Sequence, residues 1–127
     1  MRVNDIFVAP HFKLREFECP CCGLVKIHPE LVDRLERLRA LWKEPLFVTS
    51  GYRCQKHNRE VGGVPHSMHM EGKAADVVVL CAEQNSFVDA AYEAGFFKAL
   101  PYGSRNFVHL AVSGREEGAP LPLKIDS

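Results

Sequence analysis

Three residues far apart in the chain carry side chains that together suit one divalent ion: His69, Asp76 and His109. His69 lies in a polar, glycine-bearing stretch, Ser67-Met68-His69-Met70-Glu71-Gly72. Asp76 follows at the mouth of the apolar run Val77-Val78-Val79-Leu80. A carboxylate leading into three valines is costly to bury without a cation, a set of donors or a metal. His109 sits in Phe107-Val108-His109-Leu110-Ala111-Val112. Strand alternation there puts Phe107, His109 and Ala111 on one face, and Val108, Leu110 and Val112 on the other, core-facing side. Two imidazoles and a carboxylate suit zinc, which in catalytic sites keeps a fourth position open for water. Zinc lowers the pKa of that water from about 15.7 to about 7 and polarises a carbonyl for attack. Taken singly, each residue has a plainer role: His69 as a loop histidine, His109 as a satisfied core histidine, Asp76 as a turn cap or a partner for Arg53 or Lys73.

Cysteines offer a second set of ligands. Cys19 and Cys22 have C-x-x-C spacing, and Cys54 and His57 have C-x-x-H spacing. Together they make a Cys₃His set for a structural zinc, which would tie the segment before the first helix to the loop bearing Arg53. Cys21 could stand in for Cys19 or Cys22. Unligated thiols, or a disulfide formed outside the cell, are the alternatives. The fifth cysteine, Cys81, follows an apolar run and reads as a small buried hydrophobe.

These residues need elements to hold them. Pro29 suits the first position of a helix running from His28 to Lys43, in which Leu31, Leu35, Leu38 and Trp42 form one apolar stripe. The charges of that segment, Asp33, Arg34, Glu36, Arg37 and Arg39, fall elsewhere on the helix and read as a solvated face. Leu46 to Thr49 reads as a buried strand opening into Ser50-Gly51-Tyr52-Arg53-Cys54, followed by a short helix over 55–61. Residues 76–80 read as a second strand, and 82–94 as a helix closed by Gly95. Strands are expected over 96–100 and 107–113, with a hairpin-type loop from Pro101 to Asn106 between them. Residues 1–18 read as an irregular N-terminal arm or a short extended segment, and 114–127 as a loosely ordered tail. The order of elements predicts a single α+β domain over 1–127, with helices packed on a small, mainly antiparallel sheet.

Composition narrows the class. A chain of 127 residues with 46% hydrophobic and 25% charged residues fits one globular domain with a real core. A formal net charge of zero argues against a general nucleic-acid binder. No apolar run is long enough for a membrane span, and Met1 to Phe17 lacks the basic and apolar regions of a secretion signal. The expectation is a monomer that is cytoplasmic as synthesised, unless something else exports or releases it. An odd number of cysteines does not suit a fully paired disulfide framework.

Ser67 to Asp76 resembles the S-x-H-x-x-G-x-A-x-D signature of the M15 peptidases, with Ser67, His69, Gly72, Ala74 and Asp76 matching. Phe107-Val108-His109 is similar to the later segment that carries the family's second histidine ligand. Ser50-Gly51-Tyr52-Arg53, His57-Asn58 and Gly62-Gly63 also resemble the family, in the same order, and the likeness is closest to its short single-domain members in phages and bacteria. The resemblance implies the hedgehog/DD-peptidase fold. It also implies a zinc D-Ala-D-Ala carboxypeptidase or endopeptidase acting on peptidoglycan stem peptides. In that pattern His69, Asp76 and His109 are the zinc ligands, Arg53 binds the substrate's carboxylate or carbonyl, and Ser67 fixes the His69 loop or hydrogen-bonds behind it.

One part of the family pattern is missing. Many members carry an ionisable general base three or two residues before the last ligand, where this chain has Asn106 and Phe107. Neither takes a proton, nor does Ala111. General-base help is worth about 10²–10⁴ in rate, so the base is unassigned, with His66, Glu71 and Tyr102 as stand-ins and Tyr102 also suited to stabilise an oxyanion. The rival reading is a catalytically weak or inactive zinc-binding module that recognises peptidoglycan or a protein partner.

Overall fold

The computed structural model describes residues 6–64 and 67–113. His66, among the stand-in bases, the first residues of the expected arm and the tail from Gly114 lie outside the described residues. The chain forms an α+β fold with two small antiparallel sheets. A short hairpin pairs β1 (Phe7–Ala9) with β2 (Phe12–Lys13). After a 3-10 turn over Leu14–Phe17 come α1 (Pro29–Trp42), β3 (Val48–Ser50) and α2 (Gln55–Glu60). A second 3-10 turn (Met68–Glu71) leads into β4 (Ala74–Val78), followed by α3 (Gln84–Glu93), β5 (Lys98–Tyr102) and β6 (Phe107–Ala111). The main sheet has the order β3-β4-β6-β5, antiparallel throughout.

Helix α1 begins and ends as its sequence dictates. Pro29 occupies the first turn, and the His28 ring accepts the Glu30 N–H at 3.1 Å, satisfying one of the open helical donors. Lys43 ends the helix in the left-handed region at φ 66°. Leu31, Leu35 and Leu38 are buried as the stripe predicts, joined by Val32. Trp42 packs edge-on against Phe87 of α3, with centroids 5.0 Å apart. The charged face is only partly solvated. Arg34 bonds Asp33, Glu30 and the Gly95 carbonyl, while Glu36 accepts from both the backbone and the ring of His11.

Alternation in the sheet decides what is core and what is site. Ala75 and Val77 of β4 oppose Leu110 and Val108 of β6, and all four are buried among Leu35, Leu38, Phe87 and Ala91. The intervening residues, Asp76 on β4 and His109 on β6, share the opposite face.

The structure shifts several expected boundaries. Strand β4 starts at Ala74, so Asp76 stands in the middle of the strand instead of at its mouth. Strand β5 runs from Lys98 through Pro101 to Tyr102, and the connection is a 3-10 turn over Gly103–Arg105 closed by Asn106 at φ 55°. Pro101 is accommodated because β5 is an edge. Ala99, two residues earlier, points its N–H away from β6 onto the Tyr92 hydroxyl at 3.1 Å, so the Pro101 nitrogen also lies on the outer side, where no ladder donor is needed. Within the expected arm, residues 6–17 form the β1–β2 hairpin and the first 3-10 turn. Phe12 and Phe17 are each 1% exposed and belong to the core. Cys81 is exposed, since it begins a 3-10 turn beyond the end of β4.

Candidate metal centre

Asp76 and His109 are direct partners in the β4–β6 ladder. The Val78 N–H bonds Phe47, and the Asp76 carbonyl accepts the Thr49 hydroxyl, so this strand's alternate backbone groups are directed at β3. Asp76 and His109 therefore form a non-hydrogen-bonded pair with β6, the kind whose side chains approach most closely. His109 Nδ1 lies 3.0 Å from Asp76 Oδ1.

His69 reaches the same oxygen from the turn before β4, with its Nε2 3.2 Å from Asp76 Oδ1. Ser67 builds that turn. It is the residue before the 3-10 turn, and its hydroxyl accepts the His69 N–H at 3.1 Å. Gly72 closes the turn at φ 72°, where a Cβ would strike the Lys26 carbonyl. The His69 ring is buried and its Nδ1 is 2.7 Å from the Gly51 carbonyl. A carbonyl only accepts, so Nδ1 carries the proton and Nε2 of the neutral ring presents a lone pair to Asp76.

Charge states sharpen this conflict. Burial pulls the His69 pKa below its ordinary value despite Asp76 beside it, so the ring is neutral near pH 7. Burial alone would raise the Asp76 carboxyl, but the hydrogen bond from His109 holds it well below the usual carboxylate range. An imidazole lone pair thus faces an ionised carboxylate oxygen at hydrogen-bond distance with no proton between them. A cation resolves the repulsion, and one donor atom each from His69, Asp76 and His109 lies within 4.8 Å of the others. The donor set fits a three-ligand zinc site. Among the described residues no further His, Cys, Asp or Glu joins this group.

Arg53 stands beside it. Its Nη2 is 3.4 Å from Asp76 Oδ2, Nε donates to Ser50 Oγ at 3.2 Å, and Nη1 donates to Asn58 Oδ1 at 3.2 Å. The Arg53 N–H also bonds the His69 carbonyl at 3.1 Å, tying the arginine loop to the histidine turn. Asn58, buried on α2, donates in turn to the Val64 carbonyl. At Gly63 a Cβ would collide with Asn58 Oδ1 and sit 2.9 Å from Arg53 Nη1. Asn58 and the Gly51 carbonyl are positioning groups to which sequence reasoning assigned no role, although both lie in the segments that resemble the family. Of the stand-in bases, Glu71 faces Lys73 at 3.8 Å, and Tyr102 stacks on Phe107 at 4.4 Å, two rungs from His109 on the same sheet face.

The cysteines also converge, with one change of member. Sulfurs of Cys19, Cys21, Cys22 and Cys54 form a group within 4.8 Å. The His57 ring is not part of it; His57 instead gives its backbone N–H to Cys54 Sγ at 3.4 Å.

A model of the Peptidase M15 family matches residues 10–111, which takes in both donor groups and Arg53. The chain belongs to the Peptidase M15 family and is thereby a metallopeptidase, a hydrolase of peptide bonds. No curated protein matches the chain. Among the described residues no helix is long and apolar enough to cross a membrane.

Proposed function

We propose that this chain is a zinc peptidase that cuts bonds next to D-amino acids in peptidoglycan stem peptides, as a D,D-carboxypeptidase or endopeptidase, with His69, Asp76 and His109 holding the metal. The observation that carries the reading is the neutral His69 ring, proton committed to Gly51, aiming its lone pair at the ionised Asp76. Zinc bound there would supply an activated water and a Lewis acid for the scissile carbonyl. The rest falls to the chain's own residues. Gly51 fixes the His69 tautomer, Ser67 fixes its turn, and the β4–β6 ladder fixes Asp76 against His109. Arg53 spends three N–H donors on Ser50, Asn58 and Asp76. That leaves one donor on each terminal nitrogen for a substrate carboxylate, a task the guanidinium fork suits.

The second reading is a binding module with little turnover, favoured by the lack of a further His, Cys, Asp or Glu grouped with the three donors among the described residues. Incubating zinc-loaded protein with purified muropeptides decides between them. Released D-alanine or split stems, lost in folded His69→Ala, support the peptidase. Retention of stems without cleavage supports the module.

A further inference from the structure

We propose that Cys19, Cys21, Cys22 and Cys54 hold a second, structural zinc ion that clamps the segment before α1 to the loop carrying Arg53. This site stands apart from the His69 centre and does not depend on the peptidase reading.

The geometry is that of a closed ligand set. Sulfur separations are 3.8 Å for Cys19–Cys21, 3.7 Å for Cys19–Cys54 and 3.3 Å for Cys21–Cys54. Four sulfurs about 2.3 Å from a tetrahedral zinc stand about 3.8 Å from one another. Disulfide pairing would give each sulfur a single sulfur neighbour. Here Cys19, Cys21 and Cys54 form a triangle with Cys22 beside it, and all five cysteines of the chain are unpaired. Thiolate ligands in a fourfold set with no open position select zinc over hard cations.

Local backbone is built to present the sulfurs. Residues 19–24 curl into a loop closed by two short bonds, Cys19 N–H to the Leu24 carbonyl and Gly23 N–H to the Cys19 carbonyl, each 2.7 Å. Gly23 makes the turn at φ 74°, a conformation favouring glycine. On the other side Cys54 receives the His57 N–H on its sulfur at 3.4 Å, which fixes where that sulfur points. The two segments already touch: Tyr52 N–H bonds the Phe17 carbonyl at 2.8 Å, and Gly51 lies so close to Phe17 that a Cβ would stand 2.6 Å from its Cα. A metal across Cys19, Cys21, Cys22 and Cys54 would lock this contact through Cys54, one residue from Arg53 and three from Gly51.

Metal analysis and cobalt substitution test it. Wild-type protein is expected to hold two zinc ions per chain, and His69→Ala one. With Co(II) in place of zinc, both are expected to show the thiolate-to-cobalt charge-transfer band that nitrogen and oxygen ligands cannot give. Cys22→Ser, with one of four sulfur ligands removed, is expected to show a weaker band and to give up one zinc to a chelator more readily than wild type. Should Cys22→Ser fail to fold, the wild-type cobalt spectrum decides alone. Folded wild-type protein with no such band, with all its thiols open to a thiol reagent, or with a mass lowered by disulfide formation, would overturn the site. Failure of metal binding at His69 would leave the band in place, so the two sites are judged separately.

Discussion

Asp76 Oδ1 stands 3.0 Å from His109 Nδ1 because the two residues face each other across adjacent antiparallel strands. Neither side chain depends on a loop for its position. The ladder that buries Ala75 against Leu110 and Val77 against Val108 on one face sets the carboxylate against the imidazole on the other. A one-residue slip would exchange the faces and destroy core and site together. Two of the three donors are therefore as rigid as the sheet, and only His69 arrives from a turn.

Arg53 is the test of substrate contact. Arg53→Lys keeps a charge beside Asp76 but loses the planar fork. Charge-assisted hydrogen bonds are worth about 1.5–3 kcal/mol, so kcat/KM on stem peptides is expected to fall by about 10- to 100-fold with zinc content unchanged. Steady-state kinetics and metal analysis on the same sample check this. Unaltered kcat/KM would confine Arg53 to holding Asp76 and Asn58 in place.

Phe17 tests whether the N-terminal segment belongs to the core. It is 1% exposed, packs near Phe12 with centroids 6.1 Å apart and abuts Gly51. Phe17→Ala is expected to cost about 3–5 kcal/mol in urea unfolding, the range for deleting a buried ring. A loss below about 1 kcal/mol would mean that the ring contributes little to the core.

Acid should destabilise the metal-free protein before the carboxylates titrate. His69 has a folded pKa below its ordinary value, with burial the leading cause and Arg53 and His109 adding to it against Asp76. Its contribution is fully present above about pH 6.5, the value for an unfolded histidine. It is lost as pH falls through 6.5 toward the folded value, because the unfolded chain takes up a proton that the folded chain refuses. The slope approaches about 1.4 kcal/mol per pH unit for this one group. Unfolding free energies measured between pH 7 and 5 should show this decline, and His69→Gln should flatten it. Parallel curves would mean that the folded ring accepts the proton.

Much of the site was legible because its residues are chemically unusual where they sit. A histidine alternating with Val108 and Leu110, and an acid before three valines, are poor choices for an ordinary core. Where Asp76 sits along its strand was not legible. Ala74 and Ala75 are weak strand formers, and only burial between β3 and β6 draws them into β4. Pro101 read as a turn because its place at a sheet edge is a property of the assembled sheet. The C-x-x-H spacing at Cys54 misled for a local reason: three residues on from a residue capping a helix, it is the backbone amide that meets the sulfur, and the ring of His57 is not in the group. Cys21 takes its place because the turn at Gly23 gathers neighbouring sulfurs, which spacing rules treat as alternatives.

The outer margin of β5 is sealed in two ways. Ala99 has its amide hydrogen taken by a tyrosine hydroxyl, and the next outward position, Pro101, has none to offer. An extended chain approaching from that side finds no N–H to accept from at these two positions, which disfavours lengthening of the sheet by a sibling molecule or a stray peptide.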